Sequence, residues 1–190
     1  MNNDNRIPGI PTYYRGVQYR SRLEAKWAAF FDEIGWWHTY EPFDARGYIP
    51  DFMIQGDRPF LVEVKPAVTA KDYQVTMEYV IPKVVGLWQH DLLVVGLSPL
   101  PGLGDEFIGN THPPVGMLGE HWPEGDGWDV DTGRWFHCLK CETPGLIHPS
   151  QSWIGRPCNH HDGNTHVGPL DVERIRTAWA AAGNTVQWWK

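Results

Sequence analysis

The first regular pattern of hydrophobic and polar positions runs from residue 21 to residue 35. It opens with Ser21-Arg22-Leu23-Glu24, a capping box in which the serine accepts a hydrogen bond from the third helical amide. It ends at Gly35, where a left-handed residue closes a helix. Between these signals, apolar side chains recur at helical spacing at Leu23, Trp27, Phe30, Phe31 and Ile34. The pattern predicts an amphipathic helix with one face in the core.

The pattern then changes to short apolar runs. Residues 48–54 and 60–65 are separated by a glycine-bearing turn, which predicts a hairpin of two strands. Residues 69–90 indicate a second helix that is kinked or split at Pro82. The continuous apolar run 92–97 is typical of a buried strand. The predicted order is therefore helix, hairpin, helix and strand.

The second half of the chain is less regular. Prolines and glycines dominate residues 99–127 without sustained periodicity, which indicates a connection that leaves the first domain. Residues 128–140 are predicted to form a short hairpin around Asp131-Thr132-Gly133, and Asp171 caps a last helix that Gly183 closes. The predicted organisation is a core at 1–98, an acidic connection at 99–127 and a small module at 128–190.

The composition is that of a folded globular protein. Of the 190 residues, 42% are hydrophobic, 13% aromatic and 21% charged, which excludes a disordered or collagen-like chain. No apolar run approaches the roughly 20 residues that cross a bilayer. The polar N-terminus lacks the apolar core of a secretory signal. We therefore expect no membrane partner and a cytoplasmic location.

The net charge of −7 argues against binding to nucleic acid through overall charge. A local basic stretch can nevertheless meet phosphates, although a solvated helix start has the same appearance. This stretch contains Arg15, Arg20, Arg22 and Lys26.

Two acids and a lysine in the predicted hairpin form the most informative cluster. Side chains alternate along a strand, so Glu63 and Lys65 project from the same face. Asp51 lies on the partner strand and can stand beside Glu63. Two adjacent carboxylates repel each other unless a divalent cation lies between them, and Mg²⁺ prefers one or two carboxylates with waters and phosphate oxygens. Lysine beside such a cation completes a hydrolytic site, because it orients water or stabilises developing charge.

The alternative interpretation of this cluster is a surface salt-bridge network, which is common and contributes little energy. The run 60–65 is mostly apolar, however, which places its charges near a core strand where unpaired ions are costly. The pattern therefore favours an active site at Asp51, Glu63 and Lys65.

These residues carry a resemblance to a known family. Pro50-Asp51, followed after eleven residues by Glu63-Val64-Lys65, resembles the signature of the PD-(D/E)xK nuclease superfamily. Glu24 is similar to the acid of that superfamily's first helix. The pattern from residue 21 to residue 65 looks closest to phage junction-resolving endonucleases and to the nuclease subunits of heteromeric transposases. The resemblance covers about residues 15–98.

The resemblance implies an α/β fold with a restriction-endonuclease-like core: a helix, a mixed sheet with a hairpin, a helix and a strand. It implies an endonuclease that uses Mg²⁺ or Mn²⁺ to hydrolyse phosphodiesters in branched or structured duplex DNA. Asp51 and Glu63 would be metal ligands, Lys65 the lysine of the motif and Glu24 an auxiliary ligand. Glu24 can instead serve only its capping box.

The resemblance also bears on assembly and location. Cutting two strands requires two active sites, so we expect a homodimer, with a monomer that nicks DNA as the alternative. If the protein is phage-encoded, it acts in the host bacterial cytoplasm.

Other functions stay open at this point. Gln74 and Tyr79 are similar to a helix motif of exonuclease-like branches, but four residues separate them where that motif has three. Gln74 is therefore an auxiliary candidate for orienting substrate or water, and a solvated helix residue otherwise. The nearest alternatives are an exonuclease or an RNA-directed nuclease. A third is an inactive protein that binds DNA or a partner through its C-terminal module.

Three cysteines and a histidine in the last third predict a second metal site. Cys138-x2-Cys141 is followed, after sixteen residues, by Cys158-x2-His161, and tetrahedral Zn²⁺ takes thiolates and imidazole in this number. A fully occupied set of four ligands indicates a structural zinc, since a catalytic zinc keeps an open position. The fourth ligand is predicted to be His161, with His160, His148 and His166 as alternatives. Buried thiols beside loop histidines are the interpretation without a metal.

Overall fold

The computed structural model describes residues 9–56, 58–86, 91–103, 112–121, 127–149, 153–154, 158, 160 and 167–186. Its helices are α1 (Arg22–Glu33), α2 (Ala70–Val84) and α3 (Val172–Thr185). Its strands are β1 (Thr12–Tyr14), β2 (Val17–Tyr19), β3 (His38–Tyr40), β4 (Phe52–Ile54), β5 (Phe60–Val64), β6 (Leu92–Val95), β7 (Pro114–His121), β8 (Trp128–Cys138), β9 (Pro144–Ile147), β10 (Trp153–Ile154) and β11 (Val167–Pro169).

A mixed sheet forms the centre of the molecule. Its described strands lie in the order β10-β9-β8-β7-β6-β5-β4-β3, with β11 paired to β8. β5 and β6 run parallel because the chain between them crosses over through α2, whereas the other neighbouring strands are antiparallel. β1 and β2 form a separate hairpin. The architecture is thus α/β, with a mixed sheet and three helices in the described part of the chain.

The two faces of the sheet carry separate cores. α1 covers one face with an aromatic cluster in which the Trp27 ring lies 5.3 Å from Phe30 and 4.9 Å from Trp179 of α3. α2 covers the other face with Tyr73 and Met77 against the apolar strands β5 and β6. Both faces of these two central strands are therefore buried, which explains why the sequences of β5 and β6 are almost continuously apolar.

The predicted start and end of α1 are confirmed. Ser21 is the N-cap, and its hydroxyl oxygen accepts from the Glu24 amide at 3.1 Å. Gly35 has a φ of +76°, a left-handed conformation that glycine adopts without strain. The Glu24 carboxylate accepts from the Ser21 hydroxyl at 2.8 Å.

Local signals also define α2. Thr69 and Asp72 form the reciprocal capping box that begins the helix. Pro82 lies inside α2, which continues for two residues to Val84 rather than splitting at the proline. Residues 87–90, the end of the predicted helix, lie outside the described residues.

The predicted hairpin between residues 128 and 140 is wrong. β8 continues straight through Asp131-Thr132-Gly133 and pairs with β7 on one side and β9 on the other. Gly133 lies opposite Gly116, and a Cβ at Gly133 would approach the Leu118 Cβ to 2.9 Å. The glycine therefore permits close packing in a long strand, although the sequence Asp131-Thr132-Gly133 is also typical of a turn.

The predicted end of the last helix is also wrong. α3 starts after its N-cap Asp171 as expected but continues through Gly183 to Thr185. A Cβ at Gly183 would lie 3.1 Å from Lys26 Cε, so this glycine lets α3 pack closely on α1.

The division into a core, a connection and a module is not visible as a break in the sheet. β7, within the predicted connection 99–127, pairs with β6, and the strands of 128–190 extend the same sheet. The ring of Trp135 in β8 lies 5.3 Å from that of Trp36 in the core of the first half. Sequence periodicity could not anticipate this arrangement because the pairing of distant strands is a long-range property.

None of the helices in the described ranges has both the length and the apolar character needed to span a membrane.

Candidate active site and metal centre

The structure brings together the two acids and the lysine predicted from the sequence. Phe52 of β4 lies opposite Val62 of β5, and this register places Asp51, just before β4, beside Glu63. Lys65 directly follows β5 and its side chain returns to the same place. Strand alternation and an antiparallel register are therefore sufficient to assemble the cluster.

The carboxylates are buried and share one ammonium group. Asp51 and Glu63 are only 2% and 3% exposed. Lys65 Nζ forms an ion pair with Glu63 Oε1 and lies 3.7 Å from Asp51 Oδ2, which also accepts from the Val64 amide at 2.8 Å. The lysine side chain is 40% exposed, so the ammonium group can contact both solvent and the carboxylates.

A second cationic side chain, that of the residue before the N-cap of α1, approaches the same acids. Arg20 Nη2 donates to Asp51 Oδ1 at 2.5 Å, and Arg20 Nε lies 3.0 Å from Glu41 Oε1 and 3.8 Å from Glu24 Oε2. Glu24 is thus held beside the cluster while its other oxygen accepts from the Ser21 hydroxyl. The guanidinium group links all the acids on this side of the site.

Two tyrosines hold the remaining carboxylate oxygens. Tyr48 donates to Glu63 Oε2 at 2.5 Å, and Tyr40 donates to Glu24 Oε2 at 2.6 Å. The Tyr40 oxygen in turn accepts from the Arg20 amide at 2.9 Å. Both acids therefore have a fixed orientation.

An open cavity of about 380 Å³ gives access to this network. Its walls include side chains from the start of α1, the 47–51 loop, the end of β5 and α2. Tyr79 of α2 is 56% exposed and contributes an aromatic surface to the wall. Buried acids, half-exposed cations and an open cavity are the arrangement that an acid–base or metal-assisted site needs.

Electrostatics explains why the acids need cationic neighbours. Burial and then the Glu63 carboxylate raise the pKa of Asp51 from 3.8 to about 7, against the opposing effect of Lys65. Burial alone would lower the pKa of Lys65, but Asp51 and Glu63 raise it, so the ammonium group stays protonated. Burial and Glu63 likewise raise the pKa of Tyr48, which therefore remains a hydrogen-bond donor.

The raised pKa of Asp51 predicts a pH-dependent stability. The folded state favours protonated Asp51 over the carboxylate. The stability that this preference gives is therefore complete below the pKa of Asp51 in the unfolded chain, and it is lost as the pH rises towards the pKa in the folded state. Asp51→Asn removes this titration. The unfolding free energy of the variant, relative to that of wild type, should therefore increase by roughly 1–4 kcal/mol from pH 4 to pH 8.

Urea unfolding at several pH values between these limits measures the gain. Asp131→Asn, at an exposed position on β8, is the matched control and should show no such trend. A constant difference between Asp51→Asn and wild type at all pH values would contradict the assignment.

Gln74, the auxiliary candidate, does not join the cluster. It is exposed on α2 and donates to Glu78 at 3.0 Å. Gln74 is also absent from the residues that line the described cavity, which α2 reaches through Tyr79.

The predicted thiol site is present and contains three cysteines and a histidine. One ligand atom from each of Cys138, Cys141, Cys158 and His160 lies within 4.8 Å of all the others. Cys138 ends β8, and the tight turn after it is closed by Cys138 N to Thr143 O at 3.0 Å and Glu142 N to Cys138 O at 2.7 Å. The cluster can hold a metal ion such as Zn²⁺, since a Cys₃His set is a common tetrahedral zinc site.

The thiols themselves fit a metal. Against the effect of burial, the Lys140 and Cys141 amides lower the pKa of Cys138. Burial and the neighbouring Cys141 and Cys138 thiols raise the pKa of Cys158. A bound cation would compensate the charge that builds up when all three thiols ionise.

The histidine in this cluster is His160, one of the alternatives weighed from the sequence. The preferred His161 and the alternative His166 lie outside the described residues. His148 is elsewhere: it is buried, with Nδ1 3.9 Å from Glu120 Oε2. Sequence spacing could not separate adjacent histidines, because the local backbone decides which ring turns towards the thiols.

Sequence reasoning missed four residues of the candidate active-site cluster, one of which is Glu41, the acid 3.0 Å from Arg20 Nε. Arg20 was identified only as part of a basic stretch, and Tyr40 and Tyr48 were not identified as site residues. Residues 48–51 were expected to belong to a strand, but β4 begins at Phe52. A turn between Ala45 and Tyr48, closed by hydrogen bonds of 2.6 and 3.3 Å, brings the Tyr48 hydroxyl to Glu63. The sequence signal for this turn is the glycine at position 47, which adopts a φ of +90° in the structure.

No protein-family model, curated protein or solved structure matches the chain. Its function must therefore be inferred from the chemistry of the two clusters.

Proposed function

We propose that this protein is a divalent-metal-dependent DNA endonuclease of the PD-(D/E)xK type. The observation that carries the proposal is the convergence of Asp51 and Glu63, two buried carboxylates on adjacent strands, with the Lys65 ammonium group in an open cavity. The order α1, β3–β5, α2 and parallel β6 supports a restriction-endonuclease-like core within the α/β architecture. The preference for branched or structured duplex DNA rests on the resemblance of the sequence around these residues.

The donor set suits Mg²⁺ or Mn²⁺. Both cations prefer hard oxygen ligands, and Asp51 and Glu63 would hold them, with Glu24 as an auxiliary ligand. When ionised, the carboxylates of Glu24, Glu41, Asp51 and Glu63 have two cationic neighbours, Arg20 and Lys65. The cluster then carries two uncompensated negative charges, which one divalent cation neutralises.

The chain's own residues would divide the work of hydrolysis. A bound cation would polarise the scissile phosphate and acidify a water molecule. Without a cation, Asp51 and Glu63 raise the pKa of Lys65. We assign the Lys65 ammonium group the role of a donor that orients water or stabilises charge on the phosphate. Water is the nucleophile, and no covalent enzyme intermediate is required. The exposed part of Arg20 contributes positive charge at the entrance, where the DNA backbone approaches.

The thiol cluster is proposed to bind a structural Zn²⁺. Four protein ligands leave no position for substrate, so this zinc would stabilise the turn after β8 and take no part in cleavage. Arg174 of α3 donates to the Glu142 carbonyl in this turn at 2.7 Å. The zinc would therefore also support the position of α3.

Cleavage of a substrate panel tests the proposal. Labelled linear duplex, single-stranded DNA, covalently closed plasmid, four-way junction and an RNA duplex are incubated with the protein in Mg²⁺, Mn²⁺ or chelator. We expect metal-dependent internal cuts, fastest on the junction. Cutting from DNA ends alone would favour an exonuclease, and cutting of RNA alone an RNA-directed nuclease. Binding without any cutting would favour an inactive binding protein.

Tyr48 is expected to position Glu63 for the cation. Tyr48→Phe removes the hydroxyl that donates to Glu63 Oε2, so Mn²⁺ affinity should fall by about tenfold, as for other groups that orient metal ligands. Electron paramagnetic resonance of free Mn²⁺ measures the affinity directly. The control Tyr79→Phe alters the exposed tyrosine of the same cavity and should leave the affinity unchanged. Equal Mn²⁺ affinities for Tyr48→Phe and wild type would show that Tyr48 does not position Glu63 for the cation.

A further inference from the structure

Arg20 occupies an unusual position in the site. It is the residue before the N-cap of α1, and its backbone is anchored because the amide donates to the Tyr40 hydroxyl at 2.9 Å. Its guanidinium group reaches across to Asp51 Oδ1 at 2.5 Å. The arginine thus places a positive charge directly on a carboxylate oxygen that the proposed cation would use.

The contacts of Arg20 are divided between two kinds of acid. Asp51 is a proposed metal ligand and is almost completely buried, whereas Glu41 contacts Arg20 Nε at 3.0 Å and lies at the edge of the cluster, with a side chain 35% exposed. A cation that binds Asp51 would compete with Nη2, and one that also binds Glu24 would compete with the 3.8 Å approach of Nε to Glu24 Oε2. The 3.0 Å contact of Nε with Glu41 would remain. Glu41 would then keep the guanidinium group at the site after its contact with Asp51 has been exchanged.

The released part of Arg20 faces the proposed substrate. Its side chain is 52% exposed and lines the cavity, and a guanidinium group carries five N–H donors suited to bidentate contact with phosphate oxygens. A carboxylate cannot contact the phosphate without repulsion, so an arginine beside the acids is well placed to bind it.

We infer that Arg20 is an exchangeable ion-pair partner of Asp51 and that its exchange couples cation binding to DNA binding. In the absence of cation, Arg20 pairs with Asp51. When a cation binds Asp51, the Glu41-held guanidinium group is transferred to a phosphate of the DNA. This inference rests on the proposed function, since it assigns the phosphate to a DNA backbone.

The two roles of Arg20 predict effects of opposite sign in Arg20→Met. Loss of a competing positive charge should strengthen Mn²⁺ binding by about threefold or more. Loss of the phosphate contact should weaken DNA binding about tenfold and reduce its dependence on salt concentration by about one counterion. Arg20→Lys, which keeps the charge, should bind Mn²⁺ like wild type. Arg15→Met is the matched control for Mn²⁺ binding, because it removes an exposed arginine that pairs with the partly buried Asp32 outside the cavity.

Mn²⁺ affinity is measured by electron paramagnetic resonance on the full chain with its zinc bound. DNA affinity is measured by fluorescence anisotropy with saturating Mn²⁺ in the Lys65→Ala background, which is expected not to cut. Stronger Mn²⁺ binding together with weaker DNA binding supports the coupling. Weaker Mn²⁺ binding by Arg20→Met would show that Arg20 only holds Asp51 in place, and unchanged DNA affinity would show that it does not bind phosphate. Either result overturns the inference.

These measurements separate the inference from the proposed nuclease. A wild-type protein that binds Mn²⁺ and DNA without cutting would contradict the nuclease, while the opposite effects of Arg20→Met would still support the exchange. A wild-type protein that cuts DNA, with no gain of Mn²⁺ affinity in Arg20→Met, would contradict the exchange alone.

Discussion

Asp51→Asn is expected to lower the rate of Mg²⁺-dependent DNA cleavage by about a thousandfold or more, since it removes a charged ligand of the proposed cation. The substitution keeps the size and shape of the side chain, and the amide oxygen can still accept from the Val64 amide. The substitution also breaks the ion pair with Arg20, whose Nη2 donates to Asp51 Oδ1 at 2.5 Å, so the folded state of the variant is checked beside its activity. Loss of cleavage by a folded variant would assign the effect to the site.

Single-turnover cleavage of the preferred DNA, with thermal unfolding of the same samples, measures both effects. Asp131→Asn makes the same chemical change at an exposed position and should cut like wild type. Cleavage by Asp51→Asn within a factor of ten of wild type would contradict the assignment of Asp51.

The second large effect is expected at the thiol cluster. Wild-type protein should contain one Zn²⁺ per chain at this site, and Cys141→Ser should lose it because a thiolate ligand is removed. Apparent zinc binding energies in small domains are roughly 10–16 kcal/mol, so loss of zinc should lower the unfolding temperature by many degrees. The turn after β8 and the position of α3 should be affected first.

Elemental analysis gives the zinc content, and hydrogen exchange identifies the loosened segments. His160→Ala should lose zinc, whereas His161→Ala and His137→Gln should retain it. Zinc retained by His160→Ala but lost by His161→Ala would transfer the fourth ligand to His161. Full zinc content in Cys141→Ser would contradict the site.

The order of the first elements and the main site cluster were predictable because local signals specify them. Ser21 and Gly35 mark the ends of α1, and alternation in β4 and β5 places Asp51 beside Glu63. The chemistry proposed for the cluster rests on three residue types and their spacing. Recognising these residues needs no information about distant parts of the chain.

The packing of the later elements and the other residues of the site depend on long-range contacts, which a single sequence does not reveal. Gly133 and Gly183 look like local turn or stop signals, but each serves close packing against an element far away in the chain. Arg20 and Tyr48 reach the acids because a capping segment and a loop fold onto the sheet. A basic or aromatic residue in such a segment has no periodic signature.

The two proposed metal sites belong to one continuous sheet. Trp36 Nε1 donates to the Pro144 carbonyl at 2.9 Å, which links the segment after α1 to the strand that follows the thiol turn. Trp135 Nε1 donates to the Pro99 carbonyl at 2.7 Å. We therefore expect zinc to support the same core on which α1, Arg20 and Glu24 depend, although it lies outside the cavity.

The most direct test of the proposed function is the incubation of folded, zinc-loaded wild-type protein with a labelled four-way junction and covalently closed plasmid. Mg²⁺ is added in one reaction and withheld in the other. The proposal predicts internal cuts that require the added cation and are absent from a parallel Asp51→Asn reaction. DNA that is bound but uncut, in Mg²⁺ and in Mn²⁺, would contradict the nuclease and leave a DNA-binding protein.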